Sequence, residues 1–352
     1  MGKNYWLDGI MGLVVGDALG NPVQFMPRDK IKNRSMGPVS SMEYGGVFDT
    51  PKGTWTDDSS MALASLHGIV EKGKADPEDI GERFVKWLYY HEYTPLGFTF
   101  DQGLTCSAAI NAFKESHDIM TCGRRGEKAN GNGALMRILP VCLYYYLSGK
   151  SGMYTLDTVV GNNKENNKEN NKEFNREDIT IEGIHRIAGL THNHPRSNMC
   201  CGFYYFMVKN ILEDKEKALN KSLNQVLQDG IDQAVNFYSE KPENLAEMDH
   251  LKRIKVLEDL KNLPEEKISS SGYVIHSLEA ALWSLANTSS FKDCALKAVN
   301  LGDDADTVGA IACGLAGLYY GYEDIPRSWL VEIKRRDWIE DLCFRASKIF
   351  LN

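Results

Sequence analysis

The apolar positions of this chain recur at helical rather than strand spacing, which predicts an all-α protein. Apolar residues three or four positions apart form the buried stripe of a helix, whereas a half-buried strand alternates every second residue. Such alternation is weak and confined to residues 37–48. The pattern predicts helices at about residues 5–20, 59–72, 78–91, 103–115, 134–148, 195–213, 216–238, 251–262, 272–287, 290–299 and 328–350, with another beginning near residue 308.

Two of the predicted helices carry stripes of small residues. In the first, Gly12, Gly16 and Gly20 recur every four positions, and a second stripe of Ala and Gly runs through residues 310–321. Glycine lowers helix propensity, but it lets another backbone approach closely. We therefore expect these two helices to pack against each other and to bring the two ends of the chain together.

A polar tract at about residues 161–175 interrupts the helical pattern. It repeats Asn-Asn-Lys-Glu three times, and such a composition buries too little apolar surface to fold. No other segment has the character of a linker. The sequence therefore predicts a single domain, 1–352, with this tract as a solvated insertion.

Charge and composition exclude several classes of protein. The 352 residues include 40 Lys and Arg against 48 Asp and Glu, a formal net charge of −8, which argues against a surface that tracks a nucleic-acid backbone. The longest apolar run, residues 138–147, is too short to cross a bilayer. Eight cysteines without a C-x-x-C pair fit the reducing cytoplasm. We expect a cytoplasmic protein with no membrane partner, while the oligomeric state is not predicted.

Two acidic clusters stand out at opposite ends of the chain. Residues 56–59 read Thr-Asp-Asp-Ser, and residues 303–307 read Asp-Asp-Ala-Asp-Thr; each cluster begins a predicted helix. The half positive charge of a helix N-terminus cannot balance so many carboxylates. Oxygen ligands from Asp and Thr suit Mg²⁺, Mn²⁺ or Ca²⁺. The clusters therefore indicate a divalent-metal site, for which a two-metal arrangement is one reading.

An ordinary structural explanation also exists. Ser, Thr and Asp are favoured at helix N-caps, so residues 56–59 alone could be capping residues. The second cluster fits that explanation less well, because the apolar segment 308–312 follows it directly.

Four further segments are unusual for plain helical sequence. Residues 16–25 end a helix and turn sharply, and residues 130–137 form a Gly/Asn loop whose backbone N–H groups can cradle a phosphate. Residues 191–195 place two histidines before a helix start. Residues 100–103 isolate the carboxylate of Asp101 in an apolar, aromatic stretch.

Taken in order, these motifs resemble the ADP-ribosylglycohydrolase family, and the resemblance covers about residues 6–329. It implies an all-α, compact, single-domain orthogonal helical bundle with a binuclear metal site in a central cleft. The implied cofactors are two Mg²⁺ or Mn²⁺ ions. The implied reaction is hydrolysis of the glycosidic bond that links ADP-ribose to a protein side chain or a small acceptor, so the expected partner is an ADP-ribosylated protein or small molecule.

The resemblance also implies roles for individual residues. The expected metal ligands are Thr56, Asp57, Asp58, Asp304, Asp306 and Thr307. The expected substrate-binding residues are Gln24, Asn130, Gly131, Asn132, Gly133 and His192. The expected catalytic residues are Asp101, Asp303 and Asp304, with Asp101 facing the leaving group and Asp303 beside the metal ligands or the ribose. Of the neighbouring residues, His194 is expected to be a cap or a polar core residue, and Arg137 a buried ion-pair partner.

One position departs from the family pattern. The family commonly has Glu where this chain has Gln24, and Gln cannot accept a proton at neutral pH. This leaves a second interpretation open, in which the protein binds ADP-ribose but hydrolyses it weakly or not at all. A two-metal phosphohydrolase is a third interpretation, because Asp-rich helix ends would serve that chemistry too.

Overall fold

The computed structural model describes residues 4–151 and 175–350, and regular secondary structure within them is helical. The α-helices are α1 (Tyr5–Gly20), α2 (Arg28–Lys32), α3 (Asp57–Lys72), α4 (Pro77–Tyr90), α5 (Leu104–Ser116), α6 (Leu139–Ser151), α7 (Arg176–Ala188), α8 (Pro195–Lys217), α9 (Leu223–Ser239), α10 (Leu245–Met248), α11 (Leu257–Lys261), α12 (Val274–Ala286), α13 (Phe291–Val299), α14 (Ala305–Tyr320), α15 (Arg327–Leu330) and α16 (Arg336–Lys348). Short 3₁₀ turns occupy Asn21–Val23, Glu127–Ala129, Leu135–Arg137, Pro242–Asn244, Lys252–Ile254, Glu265–Lys267 and Tyr322–Asp324.

The prediction of an all-α fold is confirmed. No strand forms in the described residues, and β-type pairing is confined there to three isolated bridges, Gly45–Thr50, Arg124–His192 and Gly131–Tyr273. The weak alternation at 37–48 is therefore loop rather than strand. The polar insertion predicted at about residues 161–175 lies outside the described residues, apart from Asn175, whose side chain caps α7.

The helix predicted at 216–238 is present as α9, but its predicted start is wrong. Helix α8 continues to Lys217, and Ala218 ends it by taking a left-handed backbone conformation with φ of 50°. Ser222 then starts α9 through a reciprocal capping box with Gln225, which satisfies two backbone donors at the new helix start. The apolar periodicity continues across the break, so periodicity alone did not reveal it.

Other helix boundaries also differ from prediction. The segment 251–262 contains only a 3₁₀ turn and the short α11. The segment 328–350 is divided into α15 and α16, with Arg335 at φ of 55° between them. The segment 134–148 begins as a 3₁₀ turn before α6. Helix α7 was not predicted, because it directly follows the polar tract.

Helices α1 and α14 form the centre of the fold. A Cβ atom at Gly12 would lie 2.3 Å from the carbonyl oxygen of Cys313, and one at Gly16 would lie 2.2 Å from that of Gly309. The two helices are therefore antiparallel with their backbones in contact, as the glycine stripes predicted. Gly314 differs from the prediction, because it faces α8 and α6 side chains instead of the α1 backbone.

The remaining helices enclose this pair. Every residue of α14 from Ala305 to Leu318 is buried, and α14 also packs against α8, α12 and α13. Helix α3 packs against α4, α6 and α16. The N-termini of α3 and α14 consequently approach each other at the end of α1. No helix in the described part of the chain combines the length and apolar character that crossing a bilayer requires.

Candidate functional site

The two acidic clusters meet at the N-termini of α3 and α14. Thr56 is the N-cap of α3, and its Oγ1 lies 3.2 Å from Asp58 Oδ2 and 3.3 Å from Asp306 Oδ2. Thr307 hydrogen-bonds through its side chain to Asp58 and to Asp304, the N-cap residue of α14. The convergence predicted from the sequence is confirmed, even though the clusters are separated by most of the chain.

The last glycine of the α1 stripe explains how they meet. A Cβ at Gly20 would lie 2.3 Å from both the backbone nitrogen and the Cα of Asp306. Such a distance is far below any normal contact, so only glycine allows the end of α1 to touch the first turn of α14. This contact fixes the position of the Asp306 carboxyl beside Thr56.

Asp17 is a site residue that the sequence reasoning missed. It is fully buried in α1, and its carboxyl accepts hydrogen bonds from the backbone N–H and hydroxyl of both Thr56 and Ser59, at 2.5–3.0 Å. These bonds satisfy free donors in the first turn of α3 and fix its orientation. An Asp in the otherwise apolar stretch that follows the first turn of α1 was the signal that could have identified it.

Asp101 joins the site from the loop before α5. Its backbone is left-handed, with φ of 55°, which turns the carboxyl toward the acidic cluster. Gln24, which follows the 3₁₀ turn after α1, donates from Nε2 to Asp101 Oδ2 at 2.7 Å. The Oε1 atom of Gln24 is buried and has no hydrogen-bond partner. The predicted catalytic residue and the predicted substrate-binding residue are therefore direct neighbours.

The Gly/Asn loop lies against the second acidic cluster. Asn132 donates from Nδ2 to Asp304 Oδ2 at 2.5 Å and to Ser277 Oγ at 2.8 Å. Its backbone N–H donates to the carbonyl of Gly272 at 3.0 Å. Asn132 thus ties the loop and the start of α12 to Asp304. Ser277 is a further neighbour that the motifs did not indicate.

Asn130 braces the same loop from within. Its side-chain nitrogen donates to the carbonyl of Glu127 at 2.9 Å, and its own carbonyl accepts from Val274 N–H at 2.9 Å. Its Oδ1 atom is buried without a partner. Asn130 therefore shapes the loop through its other polar atoms.

His192 lies beneath the glycines of the loop. A Cβ at Gly131 would be 3.2 Å from His192 Nε2, and one at Gly133 would be 2.8 Å from its Cε1. The imidazole is 2% exposed, and burial lowers its pKa to about 3, so the ring is neutral. Its Nδ1 pairs with Thr191 Oγ1 at 2.9 Å. In this structure His192 supports the loop from below.

Two neighbouring predictions have different outcomes. His194 is the N-cap of α8 and accepts from Arg196 N–H, as expected. Arg137 is fully buried, but it donates to the carbonyls of Ile187 and Ala188 and to the hydroxyl of Thr191. The expectation of an ion-pair partner is therefore wrong for Arg137, because backbone carbonyls at the end of α7 and the Thr191 hydroxyl accept from its Nη1 and Nη2, while its buried Nε has no hydrogen-bond partner in the described residues.

Asp303 differs from the other carboxylates. Its side chain is exposed, although its charge contributes to the raised pKa of Asp304. Its backbone N–H donates to Met26 O at 2.9 Å, and its carbonyl accepts from Phe25 N–H at 2.6 Å. Asp303 therefore holds the segment after Gln24 against the start of α14, with its carboxylate at the solvent side.

Burial and mutual repulsion raise the pKa of the enclosed carboxyl groups. Burial is the larger cause in each case, followed for Asp57, Asp58 and Asp306 by the charges of neighbouring carboxylates, and the pKa of these three lies well above its usual value. The pKa of Asp17 is raised to about 7 and that of Asp101 to about 6. A cation would relieve the same repulsion.

The donor set fits a hard divalent cation. Asp58 Oδ1 and Asp306 Oδ1 are buried without a hydrogen-bond partner. Buried polar atoms in native proteins nearly always have a partner, which can be a bound water or ion. The surrounding donors are carboxylate and hydroxyl oxygens, as Mg²⁺ and Mn²⁺ prefer. Across residues 4–151 and 175–350, no three His, Cys, Asp or Glu side chains already form a ligand group. The carboxyls of Asp101 and Asp304 instead hydrogen-bond to that of Asp306.

Comparisons with known proteins agree with this geometry. The family model described as ADP-ribosylglycohydrolase matches residues 6–351. The chain is 30% identical to the ADP-ribosylarginine hydrolase Tri1 of Serratia proteamaculans (strain 568), over 95% of this chain and 76% of that protein. It is also 30% identical to the ADP-ribosyl-[dinitrogen reductase] glycohydrolase of Rhodospirillum rubrum, over 93% of this chain and 89% of that protein. A solved ADP-ribosylglycohydrolase-related protein complex superposes with a TM-score of 0.71 at 27% identity, covering 99% of this chain and 98% of the other.

Proposed function

Because the chain belongs to the ADP-ribosylglycohydrolase family, whose named relatives are hydrolases, we propose that it hydrolyses the N-glycosidic bond between ADP-ribose and arginine in a modified protein. The proposal includes dependence on two Mg²⁺ or Mn²⁺ ions. The observation that carries it is the meeting of buried Asp58 and Asp306, each with an unpartnered carboxylate oxygen, at two helix N-termini.

The chain's own residues would hold the ions and orient the substrate. Thr56, Asp57, Asp58, Asp304, Asp306 and Thr307 are the proposed ligands. Bound ions of this kind supply Lewis-acid charge and lower the pKa of water. Asp17 keeps Thr56 in place through its bonds to the first turn of α3, and Asn132 orients Asp304.

Asp101 is the proposed partner of the leaving group. Its pKa of about 6 lies near neutrality, where a side chain can both hold and release a proton. As the bond from the anomeric carbon to nitrogen breaks, Asp101 would give its proton to the departing guanidine nitrogen. An incoming water would form the new bond to the same carbon and lose its proton to a neighbouring carboxylate.

Arginine is the proposed acceptor for two reasons. A carboxyl such as that of Asp101 can pair with a guanidinium group through two parallel hydrogen bonds. The relative from Serratia proteamaculans is named an ADP-ribosylarginine hydrolase. The Gly/Asn loop at residues 130–133 is the proposed contact for the diphosphate, since backbone amides in such loops bind anions; the Asn132 amide is not among them, because it donates to the Gly272 carbonyl.

A second candidate function is binding of ADP-ribose without turnover. Gln24 favours it, because an amide replaces the carboxylate common in the family and cannot accept a proton. The adjacent Asp101 supplies a carboxyl at the same place, so hydrolysis remains the better-supported function.

The test is a product assay on a panel of acceptors. The protein is incubated with Mg²⁺ or Mn²⁺ and with arginine-, serine- and acetyl-linked ADP-ribose, and products are resolved by mass. Release of intact ADP-ribose from the arginine linkage supports the proposal. Tight binding without release supports the second candidate, and formation of AMP or inorganic phosphate indicates a phosphohydrolase.

A further inference from the structure

Three loops meet beside Asp101. Gln24 hydrogen-bonds to Asp101 and so joins the segment after α1 to the segment before α5. The rings of Phe48 and Phe100 lie 5.2 Å apart and join the loop at residues 44–50 to that same segment. A Cβ at Gly46 would lie 2.8 Å from the backbone of the turn after α1. The three loops therefore form one continuous surface.

This surface exposes large apolar side chains. Phe25, Tyr44, Val47 and Phe98 are each at least half exposed, at 58%, 60%, 60% and 50%, and we call these four residues the apolar rim. The Phe98 ring also packs at 5.8 Å from Phe100. Scattered exposed apolar residues are normal, but a group on adjoining loops beside a buried polar site is typical of a binding surface.

The apolar rim is interleaved with carboxylates. Asp49 is exposed on the loop at residues 44–50, and Asp303 is exposed on the turn before α14, which pairs with the backbone of Phe25 and Met26. Tyr44 hydrogen-bonds to Asp49. Asp49, Asp303 and Phe25 all hold a left-handed backbone, with φ of 49°, 52° and 61°. Residues held in this sparsely populated region tend to cluster at binding and active sites.

We propose that the apolar rim binds the polypeptide that carries the modified arginine, specifically a segment with further cationic side chains. Guanidinium groups stack on aromatic faces and pair with carboxylates, and the rim, together with the neighbouring Asp49 and Asp303, offers both beside Asp101. The inference rests on the proposed function, because it assigns a docking surface to that same site. It adds that the protein distinguishes a peptide-linked substrate from free ADP-ribosylarginine.

Charge favours this occupant over a second copy of the chain. A symmetric dimer through the rim would place the surface against itself, so that Asp49 and Asp303 would face carboxylates of the other copy. Like charges held in an interface oppose association. A basic peptide would instead bring positive charges to Asp49 and Asp303, so that the electrostatic interaction is attractive.

The experiment compares two substrates that share one glycosidic bond. The first is free ADP-ribosylarginine, and the second is a basic peptide with ADP-ribose on one arginine. Val47→Ser and Phe98→Ser are made separately, because they lie on different loops. Phe344→Ser is the matched control, because Phe344 on α16 is similarly exposed, at 53%, but lies away from the site. Its neighbour Arg345 pairs with Glu71, at the end of α3 opposite Thr56. The full chain is assayed with Mg²⁺ or Mn²⁺ present.

Each rim variant should raise KM for the peptide about tenfold, as loss of one important interface side chain commonly does. Its KM for free ADP-ribosylarginine and its kcat on both substrates should stay within about twofold of wild type, and the control should match wild type throughout. Equal changes on the two substrates, or none in either rim variant, would overturn the proposal. A sedimenting dimer that both rim variants dissociate would also overturn it, in favour of a second copy as the occupant.

Failure of the proposed hydrolysis can be distinguished from failure of the proposed peptide docking. If wild-type protein hydrolyses neither substrate, the proposed function fails. Fluorescence anisotropy of the same labelled peptide then still measures docking. Weaker peptide binding by both rim variants, but not by the control, supports the rim as the docking surface, and equal binding by all four proteins refutes it.

Discussion

Gln24 donates a hydrogen bond from Nε2 to Asp101 Oδ2 at 2.7 Å. This contact joins the turn after α1 to the loop before α5. Burial raises the pKa of Asp101 to about 6, and the hydrogen bond from Gln24 limits that rise. The amide therefore has a different task from a carboxylate at the same position. It orients Asp101 without adding charge to an already acidic cluster.

Gln24→Glu should lower kcat/KM about tenfold near pH 7. The substitution removes a hydrogen bond to a titratable group, a loss of the order of 1.5–3 kcal/mol, and adds a like charge that raises the pKa of Asp101. The pH above which activity declines should therefore move upward. A pH profile of kcat/KM on ADP-ribosylarginine measures both effects.

Gln24→Met is the control for charge. It keeps the side-chain length but neither donates a hydrogen bond nor ionises. Activity should fall, and the upward shift in pH should be smaller than in Gln24→Glu, because only the loss of the hydrogen bond that lowers the pKa of Asp101 contributes to it. If wild-type protein is inactive and Gln24→Glu is active at unchanged ADP-ribose affinity, the natural chain is a binding protein and the hydrolase proposal is wrong.

Mg²⁺ or Mn²⁺ should raise the melting temperature of wild-type protein, because a ligand that binds only the folded state stabilises it. Asp304→Asn should remove most of this increase, since it replaces a central proposed ligand. The measurement is the difference in melting temperature between protein in EDTA and protein in millimolar Mg²⁺ or Mn²⁺. Asp303→Asn is the control, because the Asp303 carboxylate is exposed and Asn tolerates its left-handed backbone. An equal response of Asp304→Asn and wild type would place any metal elsewhere.

The sequence predicted the parts of the site that depend on short-range pattern. Helix periodicity indicated α1 and α14, and the spacing of Gly12 and Gly16 predicted their close contact. Residues at helix starts, such as Thr56 and Asp304, could be recognised from local composition alone. The meeting of the two clusters followed from combining these observations.

Contacts that depend on three-dimensional packing could not be predicted in the same way. Asp17 looks like an isolated charge in an apolar helix, and its four hydrogen bonds to the α3 start appear only once α1 and α3 are placed together. The motif around His192 predicted a substrate-binding residue, but Gly131 and Gly133 lie against its ring and cover it. The end of α8 at Ala218, where the backbone is left-handed, could not be predicted because the apolar periodicity continues across it.

Asp17→Asn should lower the melting temperature and weaken the metal-induced increase. An amide presents one acceptor and two donors to a position where four donors converge, so at least one buried donor would lose its partner. Ser59→Ala removes only one hydroxyl from the same arrangement and should cost about 1 kcal/mol. Melts of both variants with and without Mn²⁺ distinguish them. A normal metal response in Asp17→Asn would show that Thr56 does not need this support.

Gly20→Ala should destabilise the protein by more than ~3 kcal/mol or prevent its folding, since overpacking typically costs 1–3 kcal/mol and here the new methyl group would meet backbone rather than a movable side chain. The added Cβ would lie 2.3 Å from Asp306 N. Gly126→Ala is the matched control, because nothing lies within 4 Å of that position and its φ is −69°. Denaturant unfolding of the two variants compares the costs. Similar stabilities would show that α1 and α14 can separate without penalty.

Without metal, the protein should lose stability as pH rises from about 4 to about 7.5. The pKa of Asp17 is raised to about 7 and that of Asp101 to about 6 by burial, whereas both would titrate near the usual value for Asp, about 3.9, when unfolded. A group whose pKa is higher in the folded state contributes stability that is present below the unfolded pKa and is lost as pH rises through the folded pKa. Melting temperatures in EDTA should therefore fall across this interval. Saturating Mn²⁺ should flatten the decline, because the cation stabilises the ionised carboxylates. A metal-free melting temperature that rises from pH 5 to pH 7.5 would show that the enclosed carboxyls are already ionised and compensated within the protein.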